Sequence, residues 1–414
     1  MIYHRRALAD IFSYLFTGES KYRDRRQSQV AVQGAYPPPT AANFFWIPVE
    51  LVELIIDHCD RSTLRSSSLV CKYWRASTVH RLYSTVGLSP ATSPAFADFL
   101  QSYSGEPIRR FVQSLSFTAE SGCSHKSSIR AVKRLSALLQ PSSLRLTIFD
   151  KTEPERTSGF WSLPPSRKDL RVFQKSFKTV TNLELTLFSN TFIEAARIIS
   201  SFPVLETLKV SGGAGTRQIE WEFPGDHTSL PRTVHTIQLP TGDNSSAFLH
   251  WLHSHKQPVV QTLSLGGISL FHLTNAYLRK LGGSLQCLTI SGLVYHQHHD
   301  PLFTVDLSCN ANLRILAVLN GRRSSADVFR VLSRVTSQFV EEVEFDVYNP
   351  ADNPIGHTGR YWSRLDALLA SPQFSKLRRV IVNVNLKKCY KIEVQLPLAK
   401  SRKILRFRNL RNRV

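Results

Sequence analysis

The chain has 414 residues, 42% of them apolar, and carries a formal net charge of +21 at pH 7. That is enough apolar material for a large buried core, yet no segment approaches the roughly 18 unbroken apolar residues of a membrane span. Six cysteines without paired spacing give no sign of a disulfide framework and point to a reducing compartment, so a cytoplasmic or nuclear location is expected.

Arg5 and Arg6 precede a short apolar patch, Ala7 to Phe16, that Asp10 interrupts. The patch is too short for a secretory signal, and Asp10, Glu19 and Asp24 arrive too early for a mitochondrial presequence. Residues 1–43, which include the tract Pro37-Pro38-Pro39, are expected to form a disordered or loosely helical leader.

Residues 44–88 read as a helical module. Pro48 suits the first turn of a helix, where its missing N–H is not needed, and Glu50 opposes the positive end of the dipole. Leu51, Val52, Leu54, Ile55 and Ile56 supply more apolar surface than one stripe needs, so this helix should bury one face and offer another. Ser62 is the expected N-cap of a second helix carrying Leu64, Leu69 and Val70. A third helix should begin near Lys72, display Trp74 and end around Leu82 and Tyr83, with Cys71 packed at its boundary. Three short helices bury too little to be stable alone, so a partner or the rest of the chain must cover them.

The module resembles the F-box, which docks on a Skp-type adaptor. The resemblance rests on Ile47-Pro48, Glu50, the apolar run Leu51 to Ile56, Leu64, and the pair Val70 and Trp74, with the family's usual Pro-to-Trp separation and no gap. Ile47 stands where Leu is usual, and Cys59 where Leu is commoner. The resemblance implies that Pro48, Leu51, Val52, Ile55, Ile56, Val70 and Trp74 pack on the adaptor, which in turn holds cullin and RING subunits.

A repeat array follows over residues 89–385. The apolar template h-x-x-h-x-h recurs with starts at Val112, Val180, Leu205, Val234, Val260, Leu285, Leu313, Val340 and Leu377, and a weaker copy lies near Leu144, Leu146 and Ile148. From Val180 the intervals are 25 to 29 residues before a last step of 37, within the range of leucine-rich repeats except for that step. Each template predicts one short strand. Helical patterns lie between most copies, at Ile129 to Leu139, Phe192 to Ile199, Phe248 to Leu252, Val328 to Val335 and Trp362 to Leu369. The expected fold is α/β: a three-helix F-box followed by an irregular leucine-rich-repeat-like solenoid, parallel strands inside and helices outside. The regular Asn of such repeats is missing, and two connections, Gly212 to Arg232 and Leu293 to Asn312, carry no helical pattern.

Strand positions between the buried pair should line the inner face, among them Lys209, Gln238, Ser264, Thr289, Glu344 and Arg379, which are the candidate contacts to a protein target. Residues 386–414 hold ten Lys or Arg against Glu393 and form a basic tail or cap. Such a cationic run attracts anionic partners without needing defined geometry, and it is expected to govern location more than target choice. No nucleic-acid fold motif accompanies it, so nucleic acid is not an expected partner.

Catalytic patterns are thin. His296, His298 and His299 lack metal-ligand spacing and read as a solvated loop, and His250 and His253 as an exposed helix face. Gly212-Gly213-Ala-Gly215 lacks the Lys of a phosphate loop, and no Gly-x-Ser-x-Gly is present. No enzyme activity, metal or cofactor is expected. The resemblance implies a substrate-recognition subunit of a Skp-cullin-F-box ubiquitin ligase that acts by proximity. The alternative is an F-box and repeat scaffold acting outside ubiquitylation, its basic tail meeting anionic partners.

Overall fold

The computed structural model describes residues 49–89, 91–117, 125–148, 175, 177–187, 192–212, 229–240, 243–254, 259–266, 271–291, 305–319, 325–347, 358–384 and 389–409. The expected leader, Pro48, the run His296 to His299 and most of both helix-free connections lie outside these residues.

Three helices come first: α1 (Val49–His58), α2 (Arg61–Ser67) and α3 (Lys72–Ser84). Asp60, not Ser62, caps α2. Its carboxylate accepts from the Thr63 amide at 2.7 Å and from the Ser62 hydroxyl at 2.9 Å. Those bonds hold the Asp60 carboxyl down at about 2. Val52 and Ile56, one turn apart on α1, meet Leu64 of α2 and Leu82 of α3, with Cys59, Trp74 and Tyr83 around them. Arg81 of α3 pairs with the Asp57 carboxylate and donates to the Asp57 carbonyl at 2.6 Å, tying α3 to the end of α1.

The described residues then form a single 12-stranded sheet whose strand order follows the chain. Its strands are β1 (Thr85–Leu88), β2 (Ser114–Phe117), β3 (Ser143–Ile148), β4 (Asn182–Leu187), β5 (Thr207–Gly212) and β6 (Thr236–Leu239), followed by β7 (Thr262–Gly266), β8 (Cys287–Ser291), β9 (Ile315–Leu319), β10 (Glu342–Val347), β11 (Arg379–Val384) and β12 (Leu405–Asn409). Every neighbouring pair is parallel, so β1 and β12 are the two edges of an open sheet. Thr85–Leu88, grouped with the helical module in the sequence reading, is thus the first rung of the sheet. The weak template copy at Leu144 is a complete strand.

Register is set twice over. The alternating apolar pairs stack: Leu183 on Leu208 on Ile237 on Leu263 on Leu288 on Leu316 on Val343 on Val380, all buried. A one-residue slip would turn every such pair to the other face. Just before most strands one carbonyl accepts two amides of the next repeat, as Thr181 does from Glu206 and Thr207, Gln261 from Gln286 and Cys287, and Arg314 from Glu341 and Glu342. These bonds satisfy the turning backbone.

Helices α4 (Ser93–Gln101), α5 (His125–Leu138), α6 (Phe192–Ile199), α7 (Asp243–Ser254), α8 (Phe271–Leu281), α9 (Ser325–Leu332) and α10 (Thr358–Leu369) connect the strands. They cover the face that carries the apolar pairs, as where Phe192 of α6 meets Phe248 of α7 edge-on at 4.9 Å. No apolar pattern announces α8, because two of its inward positions are Thr274 and Tyr277. Asn310 stands in for a repeat asparagine here, donating to the carbonyls of Leu278 and Gly282 at 3.0 Å each.

Residues 389–409 fold onto the array as α11 (Cys389–Gln395), α12 (Pro397–Ser401) and β12. Asp366 of α10 is buried and caps α12, accepting from the amides of Leu398 at 2.8 Å and Ala399 at 3.0 Å. Arg402 donates to the carbonyl of Leu369 at 2.7 Å. Of the basic tail or cap expected over residues 386–414, the described part, 389–409, packs on the end of the array, held by these polar contacts.

Candidate functional site

Two surfaces can do work: the outside of the helical module and the strand face that no helix covers among the described residues. On the module, helical periodicity divides the apolar run of α1. Val52 and Ile56 are 2% and 3% exposed, whereas Leu51, Leu54 and Ile55 are exposed. The turn after α2 and the first turn of α3 present Leu69, Val70 and Tyr73, also exposed. An exposed set of this size on a module this small is not accounted for by the ordinary scatter of surface apolar residues.

The adaptor contacts inferred from the sequence thus separate. Leu51, Ile55 and Val70 face outward, and Trp74 is half-buried against the inner cluster. Val52 and Ile56 were expected to touch the adaptor, and this is corrected: they fill the module's own core, because positions four apart on α1 point at Leu64 and Leu82. Leu54, Leu69 and Tyr73 were missed, and the 3.6-residue period could have flagged Leu54 beside Leu51 and Ile55. Cys71, expected to be packed, is exposed; it is the extended N-cap residue of α3 and lies off the helix cylinder.

The module is anchored to the array. Helix α3 runs directly into β1, His80 of α3 meets Phe111 edge-on at 5.5 Å, and Tyr83 packs against both the module cluster and the array core. Burial pushes the Tyr83 hydroxyl up to about 12, against the pull of Arg61, Arg65 and Arg75. The direct passage from helix α3 into strand β1 and the shared aromatic contacts fix the direction in which the module faces.

On the uncovered strand face, Lys209, Gln238, Ser264, Thr289 and Glu344 fall in one row through the register Lys209–Gln238–Ser264–Thr289–Ala317–Glu344. Arg379 belongs to the adjacent row, opposite Glu342, to which it donates at 2.9 Å. The sequence reading missed Arg145 and Glu184, which extend the first row past Lys209. Glu184 takes Arg145 at 2.6 Å and Lys209 at 3.5 Å. At the other end Asn383, fully buried, donates to Glu344 at 2.9 Å and Asp346 at 2.8 Å, and Arg408 reaches Glu344 at 3.0 Å. Ion-paired ends therefore flank a middle of small neutral side chains, Thr262, Ser264, Cys287 and Thr289.

Burial pushes the Cys287 thiol up, which keeps it protonated. Burial, then Lys280 and His250, push His253 down. Among the described residues no three His, Cys, Asp or Glu side chains gather as metal ligands, and no helix is long and apolar enough to cross a membrane.

Residues 44–81 match the sequence profile of the F-box domain. A search of curated proteins found no match. Among solved structures the chain is similar to the leucine-rich repeat-containing protein LegL7 from Legionella pneumophila, at 15% identity and a TM-score of 0.43, over 75% of this chain and 97% of that one. The chain carries an F-box domain at residues 44–81, joined through α3 to an open solenoid of parallel strands and helices.

Proposed function

We propose that this protein is the substrate-recognition subunit of a Skp-cullin-F-box ubiquitin ligase. The observation that carries the reading is the division of the F-box helices into a buried set, Val52, Ile56, Leu64 and Leu82, and an exposed apolar set, Leu51, Leu54, Ile55, Leu69, Val70 and Tyr73. The buried set folds the module, and the exposed set docks on a Skp-type adaptor that carries cullin and RING subunits.

The array holds a protein target on its uncovered strand face, with Lys209, Gln238, Ser264, Thr289, Glu344 and Arg379 among the contacts. A rigid ladder fixes these side chains in advance, which lowers the ordering cost of binding. The anchored α3 keeps module and array at one relative orientation, so the target is presented at a constant distance from an activated ubiquitin held by another subunit. No residue of the chain performs chemistry, and the site of action is the cytoplasm or nucleus.

Tagged full-length protein is purified from cells beside a variant lacking residues 47–84, and adaptor, cullin and RING subunits are quantified. Recovery of all three with the intact chain only is the expected result. Adaptor without cullin would instead establish a scaffold outside ubiquitylation, and adaptor retained by the deletion would overturn the docking surface.

A further inference from the structure

The outer edge of β12 borders a pocket of about 450 Å³ lined by Glu393, Lys400, Lys403, Leu405, Arg406 and Phe407. Consecutive strand residues point to opposite faces. Leu405, Arg406 and Phe407 can therefore line one pocket only along the strand's outer edge.

The backbone there is available for pairing. Val380 donates its amide to the Ile404 carbonyl at 2.9 Å. In a parallel ladder that alternation turns the Ile404 carbonyl and the amide and carbonyl of Arg406 and Arg408 toward β11, and those of Leu405 and Phe407 outward, while the Ile404 amide donates to the Ala399 carbonyl. Arg406 supports this assignment, because its guanidinium donates to the outward Leu405 carbonyl at 3.1 Å. Among the described residues no strand lies beyond β12.

Charge gives the edge a preference. Lys400 is paired with Glu393 at 2.9 Å, and neither Lys403 nor Arg406 has a carboxylate partner among the described residues. Lys403 holds a left-handed backbone, φ 58°, where Gly or Asn is the usual occupant, yet a cation stands there. The Asp366 cap and the Arg402 contacts hold this edge rigid. The flank is apolar as well: Tyr390, Val394 and Leu398 are exposed, although the outer face of a terminal repeat is ordinarily polar.

We propose that the outer edge of β12 and its pocket dock an extended acidic peptide, which adds a strand to the sheet and sets alternate apolar side chains against Leu405 and Phe407. Strand addition supplies affinity through main-chain bonds, and the cations select acidic sequences. A second copy of this edge is disfavoured, because Arg406 would face Arg406.

The test uses the full chain and a fluorescent synthetic peptide alternating Asp or Glu with Val or Leu, read by anisotropy. Companion peptides replace the acids by Asn and Gln, or carry N-methyl groups on alternate amides in each of the two phases. We expect the acidic peptide to bind, the amide version to bind at least about tenfold more weakly, and one N-methyl phase to abolish binding while the other leaves it intact. Lys403→Glu with Arg406→Glu should weaken the acidic peptide by a similar factor. Lys403→Gln with Arg406→Gln, which introduces no carboxylates beside Glu393, should give an intermediate loss with an unchanged melting curve. Equal binding of the amide peptide, insensitivity to both N-methyl phases, or no binding of the acidic peptide overturns the proposal. So does binding confined to phosphatidylserine vesicles or a DNA duplex.

Discussion

Leu54 and Val70 provide the sharpest test of the division between docking and folding residues, since they are 55% and 67% exposed while Ile56 is 3% exposed. Fully burying a Leu or Val side chain is worth about 2 kcal/mol. Covering only the exposed part of each therefore contributes about 1 kcal/mol, and replacing both by Ala should cost adaptor binding about 2 kcal/mol, roughly a thirtyfold rise in Kd. Stability should change by less than about 1 kcal/mol, because most of each side chain already lies in solvent. Ile56→Ala behaves oppositely: it leaves a cavity among Val52, Leu64 and Leu82 and should destabilise the module by about 2–5 kcal/mol. Calorimetric titration with a recombinant Skp-type adaptor, beside thermal melting of each variant, separates the two effects. Unchanged affinity in the Leu54→Ala/Val70→Ala protein, or a melting loss equal to that of Ile56→Ala, refutes the assignment.

Asp366→Ala removes both acceptors that cap α12 and should cost about 1–2 kcal/mol, seen as faster hydrogen exchange in β12 with the F-box helices unaffected. Deleting residues 402–414 should lower the melting temperature, because it uncovers Val380, Val382 and Val384 on β11; a normal melting curve would show that β12 contributes nothing to the core. For Asp60, whose folded pKa of about 2 lies below the unfolded value near 3.9, the cap contribution is present above the unfolded value and fades as pH falls through about 2. Asp60→Ala should remove that pH dependence from α2, and carboxyl NMR should find Asp60 titrating below the other surface carboxylates.

The repeats were legible because their signal is local and redundant. Each h-x-x-h-x-h template names its own buried pair, and intervals near 27 residues imply stacking without knowledge of any contact. The F-box was legible from Pro48, Val70 and Trp74 for the same reason, being a spacing along the chain. Strands β1 and β12 were harder, since each sits at an edge where one neighbour is missing and the spacing gives no second point. Helix α8 was hidden by Thr274 and Tyr277, polar residues that tertiary packing buries.

The sequence by itself determined that strands alternate with helices, which strand side chains point to the core, and that α1 is too apolar for one buried face. Only the tertiary structure decided which apolar residues of α1 point inward, because that depends on where Leu64 and Leu82 arrive. It also decided that Arg402 to Arg408 belong to a folded cap instead of a loose cationic tail. The partners that hold the cap, Asp366 for Leu398 and Ala399, Leu369 for Arg402 and Glu344 for Arg408, lie tens of residues away in the chain, and no local pattern of charge reveals a contact over that separation.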